Sequence, residues 1–171
     1  MNTQFAAAVH LLVFLHLERG KLAKSETLAH SIGTNPSVVR RLCMALTEAG
    51  LINSIVGRSG GTRLAKAAQD ISLLDVYRAV ALRPHLQMHA FPNHFCPVGM
   101  EIGHVLQRHV DRAQSDFEAR LRQDSIADVA QEVGAERGTS GQPAIGANWG
   151  GAPQPSSQSA EENGASKSKS R

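Results

Sequence analysis

Between Leu28 and Leu42 the sequence leaves the backbone few options. Two short helical patterns meet at Gly33-Thr34-Asn35, and the residues around that junction each suit one task. Gly33 can take the positive φ that reverses the chain, and Ala29 has no bulk where the two helices would cross. Asn35 can cap the following helix, while Pro36 suits its first position, where no amide donor is needed. Leu28, Ile32, Val39 and Leu42 then lie between the helices as a shared apolar core. This is a helix-turn-helix pattern. An ordinary helical hairpin is the bland alternative, but it would accept Ala, Gly and Leu in many other arrangements.

A helix from Pro36 to Ala49, closed by Gly50, sorts its side chains by chemistry. Val38, Val39, Leu42, Ala45, Leu46 and Ala49 gather on one face, whereas Ser37, Arg40, Met44 and Thr47 point the other way, with Arg41 and Glu48 on the flank. Its N-terminal half therefore offers Ser37, Arg40 and Arg41. Serine and the helix dipole suit phosphate, and arginine suits guanine edges. Two adjacent arginines alone would be no more than a solvated face. Charge placement adds weight: residues 1–67 carry eight Lys and Arg against three Asp and Glu, while residues 68–133 carry six against nine.

The rest of the chain builds outward from this unit. Phe5, Val9, Leu12 and His16 share a face of a first helix that ends near Gly20, and Ser25 is the candidate cap of the short second helix. After Gly50 the pattern turns β-prone at Leu51 to Val56 and Thr62 to Ala65, around Gly57-Arg58-Ser59-Gly60-Gly61. The order helix, helix, helix, hairpin is that of a winged helix. Arg58, Ser59, Thr62 and Arg63 are placed to grip a phosphate row or enter a minor groove. The glycine-rich tip lacks the GK[ST] ending of a phosphate-cradling loop, and no helix follows it directly.

Ser72 and Asp75 form a capping box for a further helix. A Pro- and His-containing segment follows. Ile102, Leu106, Val110, Ala113, Phe117 and Leu121 then recur at spacings of four and three, which predicts one amphipathic helix of roughly seven turns. So long a helix on so small a body requires a partner to cover its stripe, so these six residues are the candidate dimer contact. From Gly134 onward, 17 of 38 residues are Gly, Ser or Pro, which predicts a disordered tail. The expected fold is mainly α: a winged helix-turn-helix domain over 1–82, a sensor or hinge loop over 83–97, a dimerisation helix with a short return segment over 98–133, and the tail over 134–171. No apolar run is long enough for a membrane span, and two cysteines allow at most one disulfide, so a cytoplasmic protein with reduced thiols is expected. No Ser-His-Asp order, paired-carboxylate motif or cofactor fingerprint points to an enzyme.

Several stretches together resemble the Rrf-type winged-helix regulators of bacteria, the family of IscR, NsrR and CymR, and within it the YwnA-like branch. They are Thr34-Asn35-Pro36-Ser37-Val38-Val39-Arg40-Arg41-Leu42, Ala49-Gly50-Leu51, Gly60-Gly61-Thr62-Arg63-Leu64-Ala65, the run from Ile71 to Val80, and Cys96-Pro97-Val98-Gly99. The resemblance covers residues 1 to about 130. It implies a homodimer built on the long C-terminal helix that binds palindromic operators in double-stranded DNA and represses transcription. Ser25, Thr34, Asn35, Ser37, Arg40, Arg41, Arg58, Ser59, Thr62 and Arg63 are the candidate DNA contacts.

The signal is less legible. Family members with an iron-sulfur cluster hold it by three cysteines in the loop before the long helix, and here that loop has only Cys96, so no cluster of that type is expected. Three readings stay open for the loop: sequence without a ligand, a thiol redox switch at Cys96, or a metal site drawing on His85, His89, His94 and Cys96. Amide donors and the helix dipole at the start of the long helix would stabilise a Cys96 thiolate. Cys43, on the apolar side of the third helix, reads as a small buried hydrophobe.

Overall fold

A computed structural model describes residues 3–57, 59–80 and 95–140, with side chains through residue 136. The elements run α1 (Thr3–Leu17), α2 (Ser25–Ile32), α3 (Pro36–Glu48), β1 (Ile52–Ile55), β2 (Gly61–Leu64), a 3-10 turn (Ala68–Asp70), α4 (Leu73–Val80), α5 (Pro97–Gln123) and α6 (Ile126–Ser140). Helix dominates, the two strands pair antiparallel, and a long C-terminal helix is present. This is the mainly α winged helix anticipated above.

Helix α1 is the hub. Ala8 and every residue from Leu11 to Leu15 are buried, and the helix touches α2, α3, α4, β2 and α6. The single face of Phe5, Val9, Leu12 and His16 is therefore an incomplete description. A helix surrounded by neighbours buries consecutive residues, and periodicity then loses its meaning.

Local chemistry explains the short elements. Asn35 Oδ1 accepts from the Ser37 and Val38 amides at 3.0 and 3.1 Å, with Pro36 in the first turn. Gly33 ends α2 at φ 73°, in the left-handed region where a side chain is strained. The expected Ser25 cap is corrected: Ser25 is the first helical residue, Lys24 occupies the cap position, and no side chain bonds the free amides. The cause lies one residue upstream. Ala23 exchanges both backbone bonds with Thr62, at 3.0 and 2.8 Å, which sets the entry point of α2.

Past α5 the chain departs most from expectation. Ser72 and Asp75 form the anticipated box, with the Asp75 amide donating to Ser72 Oγ at 3.1 Å and Asp75 Oδ2 accepting from the Ser72 amide at 3.0 Å. A second box, Ser125 with Asp128, opens α6 in the same way, at 3.2 and 2.8 Å. The two boxes lie side by side: Leu73 donates to the Asp124 carbonyl and Ile126 to the Ile71 carbonyl, both at 2.9 Å. Helix α6 then packs on α1 with Ile126 and Ala130 buried. The short return segment is thus a helix belonging to the body, and the boundary at Gly134 falls inside it. Residues 141–171 lie outside the described part.

Candidate nucleic-acid interface

The helix-turn-helix core is as the spacing required: Leu28, Ala29, Val39 and Leu42 are buried, and Ile32 packs on them. That packing turns Ser37, Arg40, Arg41, Met44 and Thr47 outward, all exposed. Ser37 Oγ donates to Asn35 Oδ1, so one carboxamide oxygen orders both the first turn and the first groove-facing hydroxyl. Thr34 is half-buried, with its amide bonded to the Ala29 carbonyl at 2.9 Å. Arg40 Nη2 lies 3.1 Å from Glu26 Oε1, with both side chains at least 60% exposed. An exposed pair of this kind contributes about 0–1 kcal/mol, so the guanidinium can exchange it for a stronger acceptor.

The wing pairs Ile52 with Leu64, Asn53 with Arg63, Ser54 with Thr62 and Ile55 with Gly61. Ser59 is exposed at its tip; Arg58 lies outside the described residues. Gly60 is needed there because a Cβ would collide with the Ile55 carbonyl oxygen. Alternation sends neighbouring strand residues to opposite faces, and this separates Thr62 from Arg63. Thr62 is buried at 5% exposure, so the expectation that it grips a phosphate is corrected. Its hydroxyl lies 3.3 Å from Ser54 Oγ, which lies 3.3 Å from Thr47 Oγ1, and it donates to Cys43 Sγ at 3.9 Å. Thr62 thus staples the wing to α3. Arg63 is exposed on the other wing face and takes no part in the groove beside α3.

That groove has a volume of about 740 Å³ and is lined by Lys24, Ser25, Glu26, Arg40, Met44, Thr47, Ile55 and Val56, among others. Sequence reasoning missed Lys24, Met44 and Val56 as candidate contacts. Lys24 had no motif to announce it, whereas an apolar residue on an outward face was a readable signal. Met44 is 64% exposed and Val56 98%. Below the groove, burial pushes the Cys43 thiol up, partly opposed by the Thr62 bond, which keeps it a neutral packing group.

The remaining sites lie on α5, none of whose residues is buried. Ile102, Leu106, Ala113 and Phe117 are exposed, and Val110 and Leu121 are half-buried. Phe117 also has an intrachain role, meeting Tyr77 edge to face at 5.3 Å, and Tyr77 meets Phe5 at 6.1 Å. Cys96 caps α5 without a side-chain hydrogen bond. The opposite end of α5 is tied to α4 through the Asp124 carbonyl, 27 helical residues or about 40 Å from Cys96, and the hinge segment that joins Cys96 to α4 lies outside the described residues. His85, His89 and His94 lie outside the described residues.

The family model described as "Iron-dependent Transcriptional regulator", Rrf2, matches residues 1–132. The chain belongs to the Rrf2 family. Its members are transcriptional regulators rather than enzymes. YwnA of Bacillus subtilis (strain 168), named as an HTH-type transcriptional regulator, is 38% identical over 134 residues, covering 78% of this chain and 98% of YwnA. A solved structure described as a DNA-binding protein is 36% identical with a TM-score of 0.61, covering 74% of this chain and 97% of that one. IscR of T. potens shares the fold at 21% identity and a TM-score of 0.57, over 78% and 87% of the two chains. Among the described residues, the iron of the Rrf2 description finds no matching donor set. Only two cysteines exist, Cys43 is in the core, and no three His, Cys, Asp or Glu side chains cluster among the described residues. No described helix is long and apolar enough to cross a membrane.

Proposed function

We propose that this Rrf2 protein is a homodimeric, sequence-specific DNA-binding repressor whose two α3 helices read the halves of a palindromic operator. The observation that carries the reading is the outward face of α3, where Ser37, Arg40, Arg41 and Met44 are exposed opposite a buried apolar face. Arg40 and Arg41 suit guanine O6 and N7, Met44 suits a thymine methyl, and Ser37 suits phosphate. Val56, two positions before Arg58 in the sequence, is an exposed apolar side chain at the wing, suited to a minor groove. The dimer reading rests on α5, whose apolar stripe the single chain leaves uncovered.

Anisotropy titration of duplexes selected from a random pool tests this. A dimer neutralising ~6 to 8 phosphates loses ~10³-fold or more in affinity between ~50 and ~200 mM salt. Arg58→Ala weakens all sequences alike, whereas Arg40→Ala or Arg41→Ala flattens base preference. Binding indifferent to salt, or absent, overturns the reading and favours a winged helix that contacts protein.

The signal is proposed to enter at Cys96, half-buried at the start of α5. An intersubunit disulfide between two Cys96 thiols, with two electrons and two protons passing to an added oxidant, would change the spacing of the two α3 helices. Oxidant then releases DNA from the wild type and not from Cys96→Ser, and reductant restores binding. Release by a chelator instead would point to His85, His89 and His94.

A further inference from the structure

A second concavity, of about 460 Å³, lies among α1, α2, α4 and α6. Val9, Val13 and Leu17 of α1, Leu73 of α4, and Val129 and Val133 of α6 form its apolar wall. Its lining holds no Lys, Arg, Asp or Glu. One polar pair interrupts the wall: His10 Nε2 and Ser31 Oγ, 3.1 Å apart. The rim is open, with His10 exposed and Val133 37% exposed.

Ligand pockets of roughly 300–1,000 Å³ combine an apolar lining with a few convergent polar groups, as this concavity does. The dimensions also decide against a macromolecular occupant. A stable protein interface removes ~800 Å² from each partner and is broad, whereas this site is a concavity walled by four elements. We propose that it binds a small molecule with a hydrocarbon body and a single carboxylate head. The body matches the Val and Leu wall. In the tautomer whose Nε2–H donates to Ser31, the Ser31 hydroxyl hydrogen is free to donate to a carboxylate oxygen, and the open rim at the exposed His10 leaves the rest of the head in water. A second charged group on the ligand would be buried without a partner, which disfavours dianions and zwitterions.

The site also has a route to the DNA surface. Ser31 lies in the last turn of α2, just before the Gly33 turn that orients α3, and Val129 and Val133 lie on α6, which continues from α5. A ligand bridging α2 and α6 therefore biases α3 relative to α5, provided its affinity differs between the two arrangements. This last step rests on the regulator reading; the binding site does not.

Calorimetric titration of the full 171-residue chain tests the site, with octanoate as probe and toluene as its headless counterpart. Octanoate binds saturably at one site per chain. Val133→Asp, at the open rim where the fold tolerates charge, abolishes binding, and Val133→Leu retains it. Ser31→Ala lowers octanoate affinity about tenfold and leaves toluene unchanged. Absence of saturable binding, or undiminished binding by Val133→Asp with helicity intact, overturns the proposal. Trp149 is the only tryptophan. A blue-shifted Trp149 emission that octanoate leaves unchanged, with no heat of octanoate binding, would mean that the chain's own C-terminal segment fills the groove, and would also overturn it. Duplex affinity measured with and without octanoate reads the coupling separately: a change in the wild type that Val133→Asp lacks supports it, and calorimetric binding without any change in duplex affinity overturns the coupling alone.

Discussion

Asn35 shows how much one side chain decides. Its Oδ1 accepts from two α3 amides and from Ser37 Oγ, so the cap and the position of a candidate DNA contact rest on the same oxygen. Asn35→Ala should lower stability by about 1 kcal/mol, read as a lower urea midpoint with an unchanged slope. An unchanged midpoint would show that solvent replaces the cap at no cost. Asn35 was legible because capping is a local matter of three or four residues. Thr62 was not. Its sequence neighbours Gly61 and Arg63 suggest an exposed hairpin hydroxyl, and only the packing of the wing on α3 turns it inward toward Ser54 and Cys43.

At the scale of elements, the two paired capping boxes are the joint of the molecule. Asp128 is held below the usual carboxylate range, first by the Ser125 side-chain bond and then by the Ser125 amide. A carboxyl depressed in the folded state contributes stability above its unfolded value near 4, and that contribution is lost as pH falls through the lower folded value. Acid should therefore loosen α6 below about pH 4 in the wild type. In Asp128→Asn that part of the acid dependence should be missing, as seen by comparing hydrogen exchange of the α6 amides at pH 5 and pH 3. Equal pH sensitivity in both proteins would refute the assignment. The pattern Ser125-Ile126-Ala127-Asp128 repeats the signature of Ser72-Leu73-Leu74-Asp75 and was readable. The glycine- and serine-rich composition that begins a few residues later masks it.

For the whole molecule, the decisive asymmetry is between a filled body and a bare helix. The core around α1 closes within one chain, while α5 carries Ile102, Val105 and Leu106 at 36%, 38% and 44% exposure. Leu106→Asp should place an unpaired charge in the proposed dimer contact and yield monomers in sedimentation, with duplex affinity falling alongside. Phe117→Asp is the poorer probe, because it also removes the ring packed on Tyr77, and the Arg78–Glu118 pair at 2.6 Å lies beside that contact. A wild type that sediments as a monomer at micromolar concentration would refute the dimer.

What could be read along the chain was whatever short-range rules govern. The turn at Gly33, the cap at Asn35, the hairpin and the length of α5 each follow from a few neighbouring residues. Tertiary packing alone decided the burial of α1 on nearly all sides, the return of α6 onto it, the inward turn of Thr62, the placing of Arg63 away from the α3 groove, and the apolar concavity beside His10 and Ser31. These features depend on which surfaces meet across dozens of intervening residues, and periodicity within a segment carries no record of its distant neighbours.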